Sequence, residues 1–258
     1  MELPANHFKR GIHAGDQQLG LWCSLASHIT VEILAGSGYD WLLIDTEHSP
    51  NELPMVFSQL QACMENKVQP IVRPPVTDAI WAKRYLDAGV QSFLFPMVET
   101  AEQAAAAVAY TRYPPEGVRG FAASSRASRF GRVKDYYSRA QEEICVLVQI
   151  ESKLGMENLE AICAVPGIDG VFIGPGDLSA DIGYLGDQGN EAVVTLIEGL
   201  VGRIVKAGNR AGILTGDEGL ARRYIAAGNI FTAVGSDAGL LARGSEALAR
   251  RFRASSIA

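Results

Sequence analysis

The absences in this sequence narrow its class before any motif is weighed. It has only four cysteines, Cys23, Cys63, Cys145 and Cys163, and no two of them form a C-x-x-C pair. Each stands among apolar neighbours, so reduced, core-filling thiols of a cytoplasmic protein are expected. No apolar run approaches the roughly 18 residues of a membrane span. The N-terminal stretch MELPANHFKRG has no apolar centre of the kind a secretory signal needs. A basic surplus is missing too: 23 Lys and Arg stand against 29 Asp and Glu, a formal charge of −6. Proteins that neutralise phosphates along a nucleic acid carry the opposite balance, so nucleic acid is not an expected partner. A small anion stays open, because one buried arginine is enough to hold it.

What is present is ordinary globular composition, 48% hydrophobic and 20% charged, arranged with a strong rhythm. Eight short apolar runs predict strands at 19–25, 39–46, 68–75, 91–99, 143–151, 169–175, 210–216 and 230–236. Most are continuous rather than alternating, as parallel strands covered on both faces should be. Between them, segments such as 51–67, 78–89 and 191–208 have the spacing of amphipathic helices. Gly38, Gly89, Gly208 and Gly228 each end a helical pattern shortly before a strand, the left-handed stop that short helix-to-strand loops favour. Eight βα units without a Pro/Gly/Ser-rich linker predict one α/β domain over 1–258, a (β/α)8 TIM barrel. Two polar stretches break the rhythm. One is 111–133, a long loop before the fifth strand with five arginines, and the other is 179–190, after the sixth. The tail, 237–256, has amphipathic spacing that suits either a last barrel helix or packing on another subunit.

In such a barrel the reacting groups stand at the carboxyl ends of the strands. Those ends offer Trp22, then Asp45, Glu47 and His48, then Arg73, Gln149, Glu151, Gly176 and Asp177, and finally Ser236 and Asp237. Glu151 and Asp177 end neighbouring strands with no charge partner near in sequence. Two facing carboxylates repel unless a cation separates them, and two oxygen ligands suit Mg²⁺ or Mn²⁺. The alternative is that one of them pairs with Arg126 or Arg129. His48 is the histidine placed at a strand end, where it is either a general base or a corner residue bonded to Asp45. Arg73, between Val72 and two prolines, suits a carboxylate or enolate oxygen, or else stacks structurally. G-P-G-D at 174–177 lacks the third glycine and the following helix of a dinucleotide fingerprint. V-G-S-D at 234–237 could cradle a phosphate, and Lys153 is the lysine near the mouth that a Schiff-base aldolase would need.

Taken in order, WLLIDTEHSPN, PIVRPP, LVQIE, GVFIGPGDLSADIGY, GILTG and AVGSD resemble the HpcH/HpaI aldolase family over essentially the whole chain. The resemblance implies a class II pyruvate aldolase acting on 4-hydroxy-2-oxo acids, of the 4-hydroxy-2-oxoheptanedioate or the 2-keto-3-deoxy sugar-acid type. It implies Glu151 and Asp177 as ligands of Mg²⁺ or Mn²⁺, with Co²⁺ a further choice. Gln149, Gly176 and Asp177 would contact the pyruvate half, and Trp22 and Leu214 would wall the pocket. His48 would be the proton acceptor and Arg73 the stabiliser of the enolate. Asp87 would raise the basicity of His48, with Asp45 and Glu47 in support. Loop 119–132 is expected to shape the aldehyde pocket. The assembly implied is a hexamer, a trimer of dimers with exchanged C-terminal helices. Gly176 stands where several relatives carry Ala or Ser.

Overall fold

The computed structural model describes residues 1–64 and 66–254. Position 65 of the expected helix 51–67, and 255–256 of the expected tail helix, lie outside the described residues. All eight expected strands form: β1 Gln18–Cys23, β2 Trp41–Asp45, β3 Gln69–Arg73, β4 Ser92–Phe95, β5 Cys145–Ile150, β6 Gly170–Ile173, β7 Ala211–Leu214 and β8 Asn229–Ser236. Each pairs in parallel with the next, and β8 pairs with β1 to close the barrel. Helices Leu53–Ala62, Ala79–Ala88 and Glu191–Lys206 fall within the three segments whose spacing predicts them. Gly38, Gly89, Gly208 and Gly228 take φ of +91°, +97°, +79° and +107°, the left-handed stop that a side chain would resist.

Two apolar layers form. The outer one lies between strands and helices; Glu191–Lys206 contributes Val193, Val194, Ile197, Leu200, Val201 and Ile204 to it. The inner one fills the barrel with Trp41, Ile71, Leu94, Leu147, Phe172 and Phe231. Glycine makes room for those rings. A Cβ on Gly20 would sit 2.2 Å from Trp41, and one on Gly212 2.0 Å from Phe231. Helix His7–Ala14 covers the amino end, where Phe8 meets Trp41 and Phe231 edge-on at centroid distances of 5.8 and 5.6 Å. Asn6 anchors that helix. Its amide donates to Ser92 and to the Glu143 carbonyl while its oxygen caps Lys9.

The last helix, Asp237–Ala254, behaves differently. Leu240, Leu241 and Leu248 are 54%, 64% and 49% exposed, so its apolar side is not covered by its own barrel. Among the described residues, no helix is long and apolar enough to cross a membrane. The four cysteines are free and buried.

Candidate active site

Parallel register builds the first part of the site. Asp45 and Arg73 are partners at the carboxyl ends of β2 and β3. The Arg73 guanidinium donates to both Asp45 oxygens, Nε to Oδ1 at 2.9 Å and Nη2 to Oδ2 at 2.7 Å, while Nη1 lies 2.8 Å from Glu47 Oε2. Its carbon sits 5.0 Å from the Trp22 ring, whose Nε1 also donates to Asp45. Burial pushes the Asp45 carboxyl upward, but the hydrogen bonds and charge of Arg73 outweigh it and the net shift is downward. Nε and Nη2 each donate one N–H to Asp45, and Nη1 is paired by charge with Glu47, whose Oε2 accepts no hydrogen bond among the described residues.

β5 supplies the second part. Gln149 and Glu151 are almost fully buried, and the Gln149 amide donates to Glu151 Oε2. The Met97 backbone N–H donates to Glu151 Oε1 at 2.8 Å. Met97 adopts φ +49°, a costly conformation for a residue with a side chain, and here it aims a donor at the carboxylate. Even so, burial, with added repulsion from Glu47 and Asp177, raises Glu151 to about 7. Gln149 Oε1 is buried with no partner. Asp177 lies in the first turn of helix Pro175–Asp181, immediately after β6. Among the described residues, neither Glu151 nor Asp177 makes an ion pair; Arg126 instead donates to the Ala88 carbonyl and covers Phe57. A pair of repelling carboxylates, one of them half-titrated at neutral pH, beside an unused amide oxygen fits a hard divalent cation.

A cavity of about 630 Å³ opens over these groups, lined by Trp22, Arg73, Gln149, Gly176, Asp177 and Leu214 along with Phe172, Gln188 and Ser236. His48 follows β2 at the same end of the barrel but does not line this cavity; its side chain is 65% exposed and 3.9 Å from Glu47 Oε2. It is therefore not a corner residue bonded to Asp45 through its ring; only its backbone N–H reaches Asp45.

The sequence profile of the HpcH/HpaI aldolase/citrate lyase family matches residues 18–244. The chain belongs to that family. It is 54% identical to a pyruvate aldolase of Rhizobium etli over 98% of this chain and 99% of that protein. With a 4-hydroxy-2-oxo-heptane-1,7-dioate aldolase of Salmonella dublin it shares 51% identity over 96% and 95%. A solved HpcH/HpaI aldolase/citrate lyase family protein from Burkholderia cenocepacia superposes with a TM-score of 0.93 at 39% identity, covering 96% of this chain and all of that one. The protein is accordingly an aldolase, a carbon–carbon lyase, in a family of metal-dependent class II aldolases.

Several expectations need correction within this HpcH/HpaI chain. Asp87 is not brought to His48. It ends helix Ala79–Ala88 at the amino side of the barrel, 4.0 Å from Arg119 and opposite the end where His48 stands. Burial raises its carboxyl, and Arg119 and Lys83 pull it back. Loop 119–132 shares that displacement. Helix Ala101–Tyr110 carries the chain back from the mouth, so the loop emerges beside the amino ends of β3, β4 and β5 and does not line its own barrel's mouth. G-P-G-D is followed by a helix after all, seven residues long with proline in its first turn, so Ser179–Asp181 of the expected second loop are helical. At V-G-S-D, the Asp237 carboxylate accepts from the backbone N–H groups of Ser24, Leu25 and Ala238. Lys153 is exposed and does not line the cavity. Sequence inspection missed Met97, whose contribution is a backbone N–H, and Gln188, which reaches the cavity from an unpatterned loop.

Proposed function

We propose that this aldolase cleaves 4-hydroxy-2-oxo acids of the 4-hydroxy-2-oxoheptanedioate type into pyruvate and an aldehyde, and runs the reverse addition. The observation that carries this reading is the buried Glu151 carboxylate near Asp177, with the unpartnered Gln149 Oε1 beside it and Arg73 fixed by Asp45 at the same end of the barrel. Glu151 and Asp177 would hold Mg²⁺ or Mn²⁺. When bound, such an ion supplies Lewis-acid polarisation of the substrate's 2-oxo group. Gln149 and the backbone at Gly176 would orient the pyruvate half, with Trp22 and Leu214 as walls.

In cleavage His48 takes the proton of the 4-hydroxyl. The C3–C4 bond then breaks, its electron pair passes into a pyruvate enolate, and the aldehyde leaves. Arg73, held rigid by Asp45 and Glu47, meets the developing oxygen charge without having to move, which favours the transition state over the ground state. A proton returned to C3 yields pyruvate.

Asp87 enters this scheme through a neighbour. Five-residue strands separate the two ends of the barrel by roughly 16 Å, so Asp87 would serve the His48 of another copy in a hexamer built as a trimer of dimers. The Asp87 Oδ1 without a hydrogen-bond partner, the exposed His48 and the uncovered C-terminal helix, proposed to exchange between copies, support that assembly. The free thiols support a cytoplasmic setting.

The test is loss of the pyruvate methyl proton signal in D₂O, followed by NMR with Mg²⁺ or Mn²⁺ and again with excess EDTA. Exchange that needs both protein and ion is expected. Exchange indifferent to EDTA would remove the ligand roles of Glu151 and Asp177.

A further inference from the structure

Resting on that reading of His48, the geometry points to Asn51, braced by Gln59, as the positioning residue that holds the proton acceptor in place. Among the described residues the exposed imidazole has no side-chain hydrogen bond and only a 3.9 Å approach to Glu47, so its side-chain surroundings hold it weakly. Its location is therefore set by the backbone of segment 46–51, which turns from β2 into helix Leu53–Ala62.

That backbone hangs on one strand-end residue. The Asp45 carboxylate accepts from the N–H groups of Glu47 and His48 at 3.0 and 3.4 Å while gripping Arg73. The Asp45 carbonyl accepts from Asn51 Nδ2 at 2.7 Å and from the Ser49 hydroxyl. Asn51 Nδ2 also donates to Ser49 Oγ at 3.0 Å, and Asn51 Oδ1 accepts from Gln59 Nε2 at 2.6 Å. Asn51 is 3% exposed and Gln59 is fully buried, so neither amide can exchange these partners for water. On the other flank Thr46 is fixed separately, donating to the Arg73 carbonyl and accepting from Tyr85.

Asn51 thus closes the far end of the turn that carries His48, while the Asp45 carboxylate holds its start and Thr46 the side of Arg73. Removing the Asn51 amide loosens the turn beyond His48 and leaves the arginine clamp standing. Ser49 shares the Asp45 carbonyl, but the link onward to Gln59 needs a donor and an acceptor on one short planar group, which Asn51 supplies.

The experiment compares two reactions of the metal-loaded, full-length protein. Cleavage of a 4-hydroxy-2-oxo acid needs a base for the hydroxyl proton. Oxaloacetate breaks its C3–C4 bond by losing CO₂, passing the electron pair to the same pyruvate enolate with no hydroxyl proton to remove. Asn51→Ala is expected to lower kcat for cleavage about 10- to 100-fold, as a displaced catalytic group does, with decarboxylation within about twofold of the wild type. Gln59→Leu, which keeps the volume and removes only the brace, should show the same split at about three- to tenfold, and it decides the matter if Asn51→Ala does not fold. Parallel loss of both reactions, or loss of neither, overturns the inference. His48→Ala, measured alongside, should lose cleavage alone. If it keeps cleavage, the base assignment fails at its source, whatever Asn51 does.

Discussion

Two glycines one residue apart from Pro175 carry opposite expectations. A Cβ on Gly174 would lie 2.6 Å from Glu151 Oε2 and 2.8 Å from Gln149 Nε2. On Gly176 it would meet only Gln188 Nε2, at 3.5 Å. Gly174→Ala should therefore cost about 1–3 kcal/mol in thermal denaturation and weaken ion binding, whereas Gly176→Ala should stay within about 0.5 kcal/mol. Equal effects would mean that the pyruvate floor is not packed as described. Glu151 makes a second prediction. A carboxyl raised to about 7 is protonated below that pH, and its proton must leave before a cation binds. The apparent affinity for Mn²⁺ should thus fall about tenfold per unit as the pH drops below about 7, and level off above it. Calorimetric titration from pH 5.5 to 8.5 checks the sign, and a flat profile would place the ion elsewhere.

At the scale of elements, strands and helix stops were legible because they depend on local chemistry. Continuous apolar runs mark covered strands, and a left-handed turn needs glycine wherever it occurs. The ends of those strands gave Asp45, Arg73, Gln149 and Glu151 directly, since barrel topology sends every strand end to one face. Asp87 could not be placed that way. It sits at a helix end, and its proposed role involves a second molecule that one sequence does not position. Met97 escaped because its side chain is irrelevant to its contact, and Asn51 because its amide acts on a carbonyl rather than on a substrate. The barrel glycines carry an element-scale test. Gly212→Ala drives a methyl into the Phe231 ring and should cost about 3 kcal/mol. Gly199→Ala, with open space around it on helix Glu191–Lys206, should instead gain about 0.5–1 kcal/mol. Urea unfolding of the two variants should separate them clearly, and a tolerated Gly212→Ala would argue against a tightly filled barrel.

At the scale of the whole molecule, the proposed sharing of Asp87 predicts complementation. His48→Ala and Asp87→Asn variants, each impaired alone, should regain activity when their subunits are allowed to exchange. Random mixing leaves roughly a quarter of sites with both native groups. No recovery after proven exchange would return Asp87 to a purely structural role beside Arg119. The stopper of Phe8, Trp41 and Phe231 at the amino end has its own consequence for traffic. The barrel is a blind well, so what enters last must leave first. In the proposed reaction, pyruvate held by Gln149 and the Gly176 backbone at the floor would not depart past an aldehyde standing above it. Release is then ordered, with pyruvate competing directly against the uncleaved acid and the aldehyde inhibiting noncompetitively.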